Sequence, residues 1–541
     1  MLITNNNHKE EKRKSFVAGV LLLSASTILV KIIGLFYKIP MLSLLGAEGM
    51  GYFNSSYEIF AVLCIVATTG LPVAISMLVS SSMVKADGRE EKNKIFRCAM
   101  RIAIALGVLG SLSLFFFGKE ISTALGNQNA AECIVAISPS LLFVCICGVY
   151  RGYFQGLGCM YPTAVSQVIE VFGKLIFGVM FSAVAIKRGA DITTAAALAT
   201  TGLSLGMLFS MIYLALQKKL KDRSEIYKNS RLSLKSEYYS RIIKIAVPIT
   251  LGSVVVGITR IIDMILIFKR LEDVGVDAVE ANVMYGAYTT LAVPIFSLIP
   301  SLIAPISLAL VPALSSAIKR RAQKEQSYVA QNSLKMTALF AIPASFGISV
   351  FSKPILCILF SNQMDAVELV SPLLSVLGAS IFFSCIITTS NAILHAYVKT
   401  GIPIISMGSG ALVKLVSEYL LIGISDIGIF GAPISTLLCD ITVSVINLWA
   451  IIRLIPESKG MVGSLWRILV ASAGAVLSAV GVYIVVIDKL HNELFAVASA
   501  AGGAALSYIV LVFLIKALTL EDISSLPMGE KILSLFSKIK V

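Results

Sequence analysis

Charge is scarce in this chain. Only 14% of its 541 residues are Asp, Glu, Lys or Arg, against about 25% in soluble globular proteins, which excludes a water-soluble fold. Histidine is nearly absent: His8, His395 and His491 lie near ends or loops, and none suggests a role. The nine cysteines, including Cys64, Cys145, Cys147, Cys385 and Cys439, fall mostly in apolar runs. No CxxC pair or Cys/His cluster offers metal-ligand spacing, so they read as small buried hydrophobes. Long polar segments are missing as well. No loop exceeds about 25 residues, leaving little room for an extramembrane catalytic domain.

Apolar length is what the chain has. Hydrophobic residues make up 57% of it and the mean hydropathy is +0.88. Apolar windows fall near 15–37, 53–80, 95–117, 131–154, 162–186, 194–216, 241–268, 285–312, 333–350, 367–397, 402–422, 432–455, 465–487 and 494–516. Each can cross a bilayer core of about 30 Å as a helix. The first is too long for a signal-peptide core, contains Lys31 and lacks a small-x-small cleavage site, so it reads as a retained span. The expectation is an all-α membrane protein of 14 transmembrane helices.

A net charge of +14 would suggest nucleic acid in a soluble protein. Its distribution here argues for orientation instead. With the N-terminus inside, cytoplasmic segments carry 33 of the 45 Lys and Arg residues and outer loops carry seven, as the positive-inside rule requires. The spans then divide into a cytoplasmic tail (1–14), an N-lobe of six helices (15–216), a basic cytoplasmic loop (217–240), a C-lobe of six (241–455), two further helices (465–516) and a cytoplasmic C-terminal tail (517–541). Arg151 counts among the cytoplasmic charges.

The two lobes echo each other. Lys31-Ile-Ile lies opposite Arg260-Ile-Ile, Ser81-Ser82-Met83-Val84-Lys85 opposite Ser315-Ser316-Ala317-Ile318-Lys319, and Gly173-Lys174-Leu175 opposite Val413-Lys414-Leu415. An internal duplication of six spans predicts parallel repeats around a central cleft suited to alternating access. Backbone breaks mark the same region: Pro72 in span 2, and Pro294, Pro300, Pro305 and Pro312 in span 8, positions that need protein or water to satisfy freed carbonyls.

Charges inside spans are costly and point to function or to pairing. Lys31 and Arg260 occupy matching points of the repeats. Each either snorkels or neutralises a carboxylate, Asp263 being one turn from Arg260, or else meets substrate. Lys31 has no carboxylate within a turn and is expected to face a polar cavity. Glu170 and Lys174, at i,i+4, read as an internal ion pair. Asp263, Lys414, Glu418 and Asp440 form either a structural network or a cation or proton coupling site.

Four stretches resemble the MOP flippase superfamily, which includes MATE exporters and polysaccharide flippases. They are KIIGLFYKIP (31–40) with LLGAEGMGYFNSSYEIF (44–60), TTGLPVAISMLVSS (68–81), RGYFQGLGCMYPTAVSQVIE (151–170), and the proline-rich span 8 with LVPALSSAI (310–318). More closely, the chain is similar to stage V sporulation protein B and MurJ-type lipid II flippases. The resemblance implies a monomeric transporter of the cell membrane rather than an enzyme. Its substrate would be an undecaprenyl-diphosphate-linked sugar, moved to the outer leaflet with the polyprenyl tail in membrane lipid. Lys31 matches a basic residue of the family's span-1 motif and would meet the diphosphate with Arg260. Cys64-Ile65 and Thr289-Thr290 stand where relatives carry further arginines. The resemblance also implies a Na⁺ site at Asp263 and Glu418, and a membrane potential or ion gradient as driving force, without any organic cofactor. A MATE-like Na⁺- or H⁺-coupled exporter of organic cations is the rival reading, and a flippase for another lipid-linked oligosaccharide is a third.

Overall fold

The computed structural model describes residues 2–83, 88–224, 236–455, 462–515 and 517. Among them every regular element is helical. Hydrocarbon offers backbone amides no partner, so each segment must satisfy its own. Among the described residues twelve stretches are long and apolar enough to cross a membrane. Phe116, Leu477, Leu506 and Leu514 are exposed, as apolar side chains facing lipid should be.

The chain forms two compact units, Met1–Thr290 with Ile422–Ile429, and Leu291–Leu421 with Phe430–Val541. The first holds α1 (Leu2–Thr68), α2 (Gly70–Ser82), α3 (Gly88–Phe116), α4 (Gly118–Ala124), α5 (Ala131–Gly156), α6 (Tyr161–Lys187), α7 (Ile192–Ser224), α8 (Ser236–Asp273) and α9 (Ala278–Ala287). These units differ from the lobes expected at 15–216 and 241–455. α8 packs on α1 and α2 and ties to α3 through Arg241 and Glu91, 3.0 Å apart, so it belongs with the first unit. Of the expected loop 217–240, the flanks are helical parts of α7 and α8, and 225–235 lie outside the described residues. The expected C-terminal tail lies outside them beyond residue 517.

α1 is two limbs joined at Gly46, where φ is 64° and ψ is −179°; an L side chain there would be strained. The second limb ends at Thr68 because the Pro72 ring would clash with that residue's carbonyl, four positions back. α2 is held against α5 by a glycine stripe. A Cβ on Gly148, Gly152 or Gly156 would lie 2.8, 2.5 or 2.8 Å from the carbonyl oxygens of Ala67, Pro72 and Ser76. Small residues at i, i+4, i+8 thus let the broken backbone lie directly on its neighbour. α6 and α7 cross as closely at Gly173 and Gly206.

The second unit holds α10 (Val293–Lys319), α11 (Gln323–Val350), α12 (Ser352–Leu359), α13 (Met364–Ala396), most of α14 (Gly401–Ile422), α15 (Gly431–Leu454), α16 (Val462–Leu490) and α17 (Glu493–Leu514). Its core packs Leu310, Leu314, Leu334, Ile393 and Ile451 from α10, α11, α13 and α15. Ile342, Ile468, Ala471 and Val512 join α11 to α16 and α17. Span 8 departs from expectation. α10 runs unbroken through Pro300, Pro305 and Pro312, and Pro294 sits in its first turn. The break precedes the prolines as a π-turn, Tyr288–Ala292. A first-turn proline loses no helical bond, and the three others each remove only one from a long ladder.

Candidate functional site: a cationic cluster in the first unit

The charged residues of the first unit gather around α1. Lys31 and Arg260 are both exposed, and their positive charges lie within electrostatic reach of each other. Neither forms an ion pair among the described residues, so the carboxylate of Asp263, one turn from Arg260, does not neutralise it by contact. Two like charges held close on otherwise apolar helices create a potential that attracts an anion.

Glu170 and Lys174 require a correction. Glu170 pairs with Arg151, whose Nη2 lies 2.7 Å from Oε2, and not with Lys174. Arg151 also donates from Nε to Ser166 Oγ at 3.0 Å and from Nη2 to Ser210 Oγ at 3.2 Å. Its side chain is 13% exposed, so Arg151 is an interior group rather than a cytoplasmic loop charge. The fork of the guanidinium reaches α6 and α7 at once, which a lysine one turn away on α6 cannot do. Glu170 still acts on Lys174 through space.

Lys174 points instead into three aromatic rings. Its Nζ lies 4.7 Å from the ring centroids of both Tyr37 and Tyr57, and 5.5 Å from that of Phe53. Tyr37 comes from the first limb of α1 and the other two from the second, so the bend at Gly46 brings the rings together. Each contact of this kind contributes about 0.5–2 kcal/mol.

Two further groups complete the cluster. Lys38 donates from Nζ to the carbonyl of Thr289 at 2.6 Å, within the π-turn where the helical ladder is disturbed. Asn54 Nδ2 donates to the hydroxyls of Thr289 and Thr290 at 2.9 and 2.8 Å. Lys38 senses both Lys174 and Glu58, and Tyr57 senses Glu58, Glu170 and Arg260. Sequence reasoning passed over Lys38, Arg151 and the three rings; the adjacent Tyr37-Lys38 in an apolar run was the available signal.

The residues of the second expected charge group come from both units. Asp263 belongs to the first unit, and Lys414, Glu418 and Asp440 to the second. There Ser380 Oγ donates to Asp440 Oδ2 at 2.6 Å, Lys414 lies within electrostatic reach of Asp440, and Glu418 is fully buried. Among the described residues no three His, Cys, Asp or Glu side chains gather as a metal site. The Lys414 ammonium supplies Asp440 with positive charge.

Comparison with known proteins gives this geometry its context. A family model described as "Polysaccharide biosynthesis protein" matches residues 16–318, and a MatE model matches 248–420. Stage V sporulation protein B of Bacillus subtilis (strain 168) is 24% identical, covering 95% of this chain and 98% of its own. Lipid II flippase MurJ of the same organism is 26% identical, covering 75% and 77%. A solved structure, "Lipid II flippase MurJ, inward closed conformation", shares the fold with a TM-score of 0.67 at 19% identity, covering 91% of this chain and 98% of that one. An inward-facing multidrug resistance MATE family transporter aligns with a TM-score of 0.61 at 13% identity, covering 80% and 99%. The chain therefore belongs to the polysaccharide biosynthesis protein family of the MOP transporter superfamily, and is a multi-pass transporter of the plasma membrane.

Proposed function

We propose that this protein is a flippase that moves an undecaprenyl-diphosphate-linked cell-wall precursor, lipid II, from the inner to the outer leaflet by alternating access. The observation that carries the reading is the exposed, unneutralised pair Lys31 and Arg260. A diphosphate needs cations not already committed to carboxylates, and these two meet that requirement. Transport breaks no covalent bond, so no nucleophile or general base is needed. The tail stays in lipid; an apolar pocket of 290 Å³ lined by Phe351, Ala479, Val497, Ala501 and Tyr508 suits a polyprenyl chain. An inside-negative potential assists the outward movement of two negative charges, by about 2.3 kcal/mol per charge per 100 mV if the whole field is crossed.

In this reading the chain crosses the membrane fourteen times, with both ends cytoplasmic. The 58-residue stretch Ala25–Ser82 bends at Gly46 into two crossings, and the 38-residue α8 adds one to the stretches already counted. The MatE match and the MATE-like fold support export of organic cations as the second reading, but cations at the exposed positions oppose it. The experiment is flipping of lipid II in proteoliposomes by wild type, Lys31→Ala and Lys31→Arg. Loss in the first with retention in the last is expected. Unchanged flipping by Lys31→Ala removes Lys31 from the mechanism. Export of organic cations without lipid II movement by wild type overturns the substrate class.

A further inference from the structure

The ring cluster around Lys174 has a composition that anion transport does not require. Tyr37, Phe53 and Tyr57 surround one ammonium at 4.7, 5.5 and 4.7 Å, the arrangement by which aromatic cages hold quaternary ammonium ligands. Two observations separate this cage from ordinary packing. First, Lys174 makes no ion pair among the described residues, since Glu170 is committed to Arg151; the rings are its direct partners. Second, the Tyr37 hydroxyl is buried without a hydrogen-bond partner. A phenylalanine would avoid that cost, so the tyrosine offers an electron-rich ring face and gains nothing from its hydroxyl.

We propose that Tyr37, Phe53 and Tyr57 form a cation site, that Lys174 fills it as a tethered cation, and that this occupancy keeps free organic cations out. The ligand class of the emptied site is a small quaternary ammonium. Lys174 has four heavy atoms beyond Cβ, and tetramethylammonium has five, so truncation to alanine vacates space of the right size and charge. Lys174 is then a specificity-determining residue that excludes cations, while Lys31 and Arg260 remain free for an anion. This inference concerns binding alone and stands or falls independently of lipid II transport.

The test is binding of tetramethylammonium chloride to the purified full-length protein in detergent, by calorimetry and thermal shift, against equal sodium chloride. Lys174→Ala is expected to bind at least tenfold more tightly than wild type. Lys174→Arg keeps a tethered cation and is expected to behave as wild type, and Lys174→Ala/Tyr57→Leu is expected to lose the gain. Lys174→Ala and Lys174→Ser are each purified with and without the probe, and recovery of folded protein only with it also supports the site. The proposal is overturned if folded Lys174→Ala shows no gain, if Lys174→Arg gains as much, or if the Tyr57→Leu change leaves binding intact. Failure of both truncations to fold even with the probe overturns it too, because a cage open to a free cation would be stabilised by one.

Discussion

Arg151 and Glu170 provide the sharpest test of how this interior is held. The guanidinium is 13% exposed and the carboxylate 24%, with 2.7 Å between Nη2 and Oε2. Removing one partner strands the other charge. A lone arginine at membrane depth costs about 2.5–3.5 kcal/mol on insertion scales, and breaking a buried pair costs about 3–5 kcal/mol. Arg151→Met also removes donors from Ser166 and Ser210, but both hydroxyls are acceptors there and lose little when the charge leaves. We therefore expect Arg151→Met and Glu170→Met each to destabilise by about 3 kcal/mol or more. The double variant should be destabilised far less, because two well-packed apolar side chains need no partner. The assay is a double-mutant cycle on unfolding free energies, measured by SDS titration of protein in mixed micelles. A coupling of about 2 kcal/mol or more supports the pair. Additivity within about 0.5 kcal/mol would refute it, and Arg151 would then be an independent surface charge, as the sequence had suggested.

Two more expectations follow from the backbone. Gly152→Ala places a Cβ 2.5 Å from the Pro72 carbonyl oxygen and 2.7 Å from its Cα, and neither backbone atom can swing away. A loss of about 1–3 kcal/mol is expected, read as a lower melting temperature on size-exclusion fluorescence, whereas Gly401→Ala, with nothing within 4 Å, should be neutral. Lys38→Met removes the 2.6 Å donor from the Thr289 carbonyl; hydrogen exchange in the π-turn Tyr288–Ala292 should speed up at least tenfold, and unchanged exchange would show that Lys38 does not hold the turn.

Much of the architecture was legible because its causes are local. A run of apolar residues must be helical in lipid wherever its neighbours lie, so the spans could be read from composition. The end of α1 at Thr68 was visible in Pro72, since a proline ring crowds the carbonyl four residues back. Span 8 was misread for a related reason. Proline counting predicts distortion, but how many bonds a helix can lose before it breaks depends on its surroundings, and α10 continues through Pro300, Pro305 and Pro312.

The candidate site was legible only in part. Lys31 and Arg260 stood out as charges in apolar spans, and the structure leaves both exposed and unpaired. The partner of Glu170 could not be read in the same way. An i,i+4 lysine is always near in sequence, but contact depends on which helix face meets which, and the glycine crossings of α2 with α5 and of α6 with α7 deliver Arg151 instead. The same holds for Lys174, whose Tyr37 ring joins those of Phe53 and Tyr57 only across the bend at Gly46. By itself the sequence determined the solvent of this protein, its helical class and where its charges are costly, because hydropathy and backbone satisfaction act residue by residue. Only the tertiary structure decided which charge answers which, because pairing depends on distances between helices far apart in the chain.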